Sequence, residues 1–112
     1  MNSQTVSLSP AARELVLYAD NTPGLDAQRR AILRNLSRRI AHGNYHAAKA
    51  AKLWRYWTDA AARMYNVGYD RPCFRPADRQ EAAAYIAARE YRDLTRGHYA
   101  TTIDPACDPA YQ

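Results

Sequence analysis

Arg30, Arg34 and Arg38 recur at every fourth residue, Lys49, Lys52 and Arg55 recur at every third, and Tyr56 follows directly. On helices, such spacing gathers cations into stripes, although like charges one turn apart cost a few tenths of a kcal/mol each. Guanidinium groups bind phosphate and carboxylate bidentately, and an ammonium adds a compact point charge. The chemistry these residues point to is recognition of an anionic partner, with Tyr56 as a stacking or anchoring ring. Arg39 stands at the other margin of its helix. Arg55 and Arg63 each reach Asp59 four residues away, which softens the second cluster.

The remaining reactive side chains lack a catalytic setting. His42 and His46 flank Gly43, and their four-residue spacing spans an expected helix break; His98 follows Gly97. Such histidines read as caps or solvated side chains. No nucleophile elbow and no glycine-rich phosphate loop occurs. Glu90 lies at the edge of an apolar arc holding Ile86 and Leu94, and a carboxylate there calls for an arginine partner. Cys73 and Cys107 lie 34 positions apart in proline-containing sequence, without the spacing of a metal site. They read as free thiols, a disulfide requiring the tail to fold back. The expectation is no enzyme, no cofactor and no metal.

Helices must position the cations. The 112 residues include 22 alanines and 9 tyrosines but only 15 Leu, Ile and Val, which favours helix and leaves little strand material. Ser9 and Pro10 open a first helix that Asp20 to Gly24 ends. A second helix runs from about Leu25 or Asp26 to His42, with Leu25, Ile32, Leu33, Leu36 and Ile40 in one arc. Gly43 ends it in a left-handed conformation. Asn44 then caps a third helix from Tyr45 to about Asn66, and its wide apolar face, with Trp54 and Trp57, makes it central. A loop over 66–75 leads to a fourth helix from Pro76 to Gly97. Tyr56 and Tyr85 fall on polar arcs and should be exposed, whereas Tyr45, Tyr65 and Tyr91 should edge the core. The predicted fold is all-α: a compact bundle of about four helices, a central hairpin of helices 2 and 3, and an irregular C-terminal tail. Residues 1–97 form the single domain and 98–112 the tail.

Charge is distributed unevenly along these elements. The chain carries +5 overall, with 14 arginines among its 16 basic residues. Residues 27–63 hold nine basic groups against Asp59 alone, a net +8, while 1–26 and the tail are each −2. The hairpin is the cationic unit. The segment 1–10 lacks the pattern of a secretory signal, and the longest apolar run, Leu15 to Ala19, is too short for a bilayer. No membrane association is expected.

Three segments carry a resemblance. Glu14-Leu15-Val16-Leu17-Tyr18-Ala19-Asp20-Asn21 is the first. The second runs from Asn35-Leu36-Ser37-Arg38-Arg39 through Gly43-Asn44-Tyr45 to Ala51-Lys52-Leu53-Trp54, and the third is Phe74-Arg75-Pro76-Ala77-Asp78-Arg79. Together, over about residues 14–94, they resemble small helical accessory proteins of bacteriophages and prophages. That family carries no assigned activity, so it lends no residue a role. Arg75 precedes Pro76 where a capping Ser or Thr would be expected. The resemblance implies a phage gene product acting in the bacterial host cytoplasm. By analogy with small phage proteins of this size, it would bind and inhibit a host protein or nucleoprotein machine, such as a CRISPR or other defence complex. The alternatives are direct DNA or RNA binding by the same residues, and a virion or assembly component.

Overall fold

The computed structural model describes residues 8–96, and every element within them is helical. Helix α1 spans Pro10–Asp20. The Ser9 hydroxyl accepts a hydrogen bond from the Ala12 amide at 3.1 Å, as its N-cap position requires. The Ser9 amide donates to Glu81 at 3.0 Å, fastening the start of α1 to a helix 72 residues away. A short 3-10 turn, Pro23–Leu25, delivers Leu25 into the core. Helix α2 follows at Asp26–Ala41 and buries Ile32, Leu33 and Leu36.

Gly43, at φ +71, ends α2. The Gly43 amide donates to the Ile40 carbonyl and the Asn44 amide to the Arg39 carbonyl, the paired bonds of a left-handed C-cap. This arrangement corrects the expected start of the third helix. Asn44 belongs to the end of α2 and does not cap the next element. Helix α3 is Ala47–Tyr69, and its N-cap, His46, has extended backbone and makes no side-chain capping bond.

The far end of α3 also differs from expectation. The helix passes through Gly68, which costs only about 1 kcal/mol in a helix interior, and stops where Asp70 takes the left-handed conformation at φ 55. Aromatic packing favours the extension: Tyr65 stacks on Tyr69 at 4.8 Å and meets Phe74 edge-on at 4.8 Å. Asn66, expected to begin the loop, instead holds it in place by accepting a hydrogen bond from the Cys73 amide at 2.9 Å.

Helix α4, Pro76–Thr95, begins as expected and ends two residues before Gly97. No Ser or Thr is needed at its start. The Asp78 carboxylate accepts from the Arg75 amide at 3.0 Å and from the Arg75 guanidinium, so the box is closed by an ion pair. The Arg75 guanidinium and amide hold the Asp78 carboxyl below the ordinary carboxylate range, against the opposing effect of burial.

Helix α3 lies at the centre, packing on α4 most extensively and on α1 and α2 as well. Alanines at 50, 61 and 62 of α3 and at 82 and 83 of α4 are buried and allow close approach. Trp54 and Trp57, 1% and 0% exposed, supply the bulk and meet edge-on at 5.6 Å. The Trp57 indole N–H donates to the Leu25 carbonyl at 3.0 Å, tying the start of α2 to the middle of α3. The expected hairpin of helices 2 and 3 is therefore α2 and α3, pinned by this bond at one end and by Gly43 at the other.

Two tyrosines sit differently from expectation. Tyr91 is 44% exposed, although Tyr45, in the α2–α3 connection, packs against its ring at 4.9 Å. Tyr85 is half-buried, with the Arg89 guanidinium over its ring at 5.8 Å. Glu90 is fully buried and accepts from Arg29 of α2 at 3.0 Å and Arg89 at 2.9 Å. Arg89 continues to Asp20 of α1 at 2.8 Å. Burial disfavours the Arg89 charge, but Asp20 and Glu90 outweigh it and raise its pKa above the ordinary arginine value. Cys107 and the expected tail 98–112 lie outside the described residues.

Candidate anion-binding cleft

Helix α2 lies against α3 along its Leu36 side and presents its opposite side to solvent. Between the two helices a cleft of about 270 Å³ opens. Its floor is apolar, formed by Leu36, Ala50 and Leu53. Its rim carries Asn35 and Arg39 from α2 and His46, Lys49, Lys52 and Tyr56 from the α3 side. Among the described residues no aspartate or glutamate lines it.

The cleft therefore brings together three of the seven residues expected to bind a partner, Lys49, Lys52 and Tyr56. These occupy positions i, i+3 and i+7 of α3, one stripe of a helix. Both lysines are exposed and neither has an ion-pair partner among the described residues. Tyr56 is 62% exposed.

Arg34 and Arg38 stand on the neighbouring outward stripe of α2, about 100° around the helix from Asn35 and Arg39. They too are exposed and unpaired among the described residues. The other two expected residues are already engaged. Arg30 pairs with Asp26 one turn earlier, at 2.6 Å. Arg55 faces Asp59 at 3.5 Å, and Asp59 also meets Arg79 of α4 at 3.3 Å, so the Asp59 charge is shared between two helices.

Sequence reasoning left Arg39 at the margin and read His46 as a cap or solvated group. Arg39 is the α2 contribution to the cleft. Its Nε donates to Asn35 Oδ1 at 3.2 Å, which fixes the guanidinium and leaves its terminal nitrogens to act as donors. The four-residue spacing of Asn35 and Arg39 was the available signal, but only the packing of α2 on α3 shows that this edge faces the lysines. The groups gathered here are donors and positive charges around an apolar floor, an arrangement suited to holding an anion with an attached apolar or aromatic portion.

A second concavity, of about 640 Å³, lies between α3 and α4, floored by alanines and flanked by Tyr45 and Tyr91. Burial, and then the neighbouring Tyr91, push the Tyr45 phenol above its ordinary value. Among the described residues no cluster of three or more His, Cys, Asp and Glu is placed to hold a metal ion. No helix among them is long and apolar enough to cross a membrane. Comparison with protein-family models, curated proteins and solved structures returns no match to this chain.

Proposed function

We propose that this chain is a small helical binding protein that engages an anionic surface of a host nucleoprotein machine through the α2–α3 hairpin. The observation that carries the reading is the cluster of Arg39, Lys49 and Lys52 around a cleft that no carboxylate among the described residues lines, extended outward by Arg34 and Arg38. Positive charge concentrated in this way raises the encounter rate with acidic or phosphate-bearing partners. The resemblance to phage accessory proteins supplies the setting, inhibition of a host defence complex such as a CRISPR effector. Direct binding of DNA or RNA is the second reading, favoured by the exposed Tyr56 ring beside the lysines.

The test is capture from bacterial lysate by the tagged protein and by a triple variant, Arg39→Ala, Lys49→Ala and Lys52→Ala. The three side chains are exposed or half-buried, so the variant is expected to unfold within a few degrees of the parent. Loss of the captured partner supports the reading, and undiminished capture by the triple variant refutes it. Nuclease treatment separates the two forms: a nuclease-sensitive complex indicates nucleic acid, and a nuclease-resistant one a protein partner.

A further inference from the structure

We infer that the cleft takes single-stranded nucleic acid, one phosphate held by Arg39, Lys49 and Lys52 with the adjoining base stacked on Tyr56. The inference rests on the hairpin being the binding face and specifies what occupies it. Its first support is the state of Tyr56. The ring is 62% exposed and makes no aromatic contact among the described residues, although Tyr18, Tyr45, Tyr65, Tyr69 and Tyr91 all have ring partners. It lies one turn from Lys52 on the same stripe, so a nucleotide whose phosphate meets the lysines has a π-face within reach.

The second support is Arg39. Anchoring of its Nε on Asn35 leaves the terminal N–H groups available to an acceptor and reduces the side-chain freedom that binding must remove. Phosphate suits that fork, and the lysines add charge without demanding geometry.

The third is shape. A duplex is read by an element that projects into a groove, the major groove being about 12 Å wide. Here the cations converge on a recess between two helices. In a duplex each base face is covered by its neighbour, so Tyr56 would find nothing to stack on; an unpaired base offers that face. An acidic protein segment would satisfy the cations but would leave the ring without its counterpart.

The experiment is fluorescence anisotropy of labelled oligo(dT), oligo(U) and a duplex of equal length with the intact protein. Either single strand is expected to bind more tightly than the duplex, and comparing the two tells DNA from RNA preference. One neutralised phosphate gives a slope of log K against log salt of about −0.7, a loss of about threefold between about 50 and 200 mM salt. Lys52→Ala should weaken binding of either single strand to a similar extent, since it removes one of the three cations that share the phosphate. Tyr56→Ala should weaken binding about five- to 150-fold with the slope unchanged, and Tyr56→Phe should retain it. Duplex binding equal to or tighter than single-strand binding, or indifference to Tyr56→Ala, overturns the inference. So does the absence of any oligonucleotide binding at low salt. If hairpin-dependent capture of a nuclease-resistant protein then persists, the broader reading stands with a protein occupant; if the triple variant captures like the parent, that reading itself fails.

Discussion

Replacing Trp57 by Phe tests whether the hairpin is held from within. The indole is fully buried, and its N–H crosses 32 residues to the Leu25 carbonyl at 3.0 Å. Leu25 immediately precedes α2, where a carbonyl ordinarily also takes the first helical hydrogen bond. Removing the indole donor therefore costs about 1 kcal/mol, the net worth of one hydrogen bond, and not the full penalty of an orphaned group. The lost ring edge adds a void. Truncating a buried aromatic to Ala costs about 3–5 kcal/mol, and Phe keeps most of the ring, so about 1–2 kcal/mol belongs to the void. The sum, about 2–3 kcal/mol, lowers the thermal midpoint of a domain this size by about 10–20 °C. Circular dichroism measures that shift, and amide exchange should show the first turn of α2 opening ahead of the rest. Tyr56→Phe on the same helix is the exposed control, expected within about 0.5 kcal/mol of the parent. A midpoint for Trp57→Phe within about two degrees of the parent would show that this bond and its packing do not secure α2, and the cleft geometry that depends on them would lose its basis.

Two further perturbations address the ionic contacts. Glu90→Ala should cost about 3 kcal/mol by urea unfolding, the lower end for breaking a buried pair, because Arg29 and Arg89 keep 25% and 19% side-chain exposure and Arg89 retains Asp20. A double-mutant cycle with Arg29→Ala should show coupling of about 1 kcal/mol or more, and strict additivity would refute the link from α2 to α4. Asp78→Ala should cost about 1 kcal/mol near neutral pH through loss of the α4 cap. The folded-state pKa of Asp78 is depressed, so its stabilisation is present above the ordinary aspartate value of about 3.9 and is lost as pH falls through the native value. The gap between parent and variant should accordingly close on acidification below about pH 4; a gap that stays constant to about pH 2 would refute the ion-paired cap.

The legible parts of the fold were those written in local chemistry. Ser9 with Pro10, Gly43 and Pro76 each mark a helix boundary through a single backbone requirement, and each does so in the structure. The start of α3 was not legible, because Asn44 has two uses and the end of α2 takes it first. The extension through Gly68 depends on Tyr65, Tyr69 and Phe74 meeting across a turn, a tertiary contact that outweighs the propensity of one residue. For the site, periodicity grouped Lys49, Lys52 and Tyr56, but assigning Arg39 to them required knowing which edge of α2 faces α3. Of the two arginines spaced to reach Asp59, Arg55 pairs with it and Arg63 does not; Arg79 arrives from α4 instead, which spacing along α3 could not show.

The division of labour among the basic residues bears on where binding occurs. Arg29, Arg75, Arg79 and Arg89 each meet a carboxylate, and three of these four join different helices. Planar forks suit that structural task, since two donors fix orientation as well as charge. The chain has only two lysines, and both stand on the cleft rim. The net +8 over 27–63 therefore overstates the free charge of the hairpin, because Arg29, Arg30 and Arg55 are already matched by Glu90, Asp26 and Asp59. What is left without an ion pair among the described residues is Arg63 on α3 and, on or beside the cleft, Arg34, Arg38, Arg39, Lys49 and Lys52. Lys49 and Lys52, one turn apart, repel one another at a cost of a few tenths of a kcal/mol that no intramolecular partner among the described residues relieves. An anion seated between them and Arg39 would remove that repulsion, so relief of this local strain would add to the affinity of the proposed interaction.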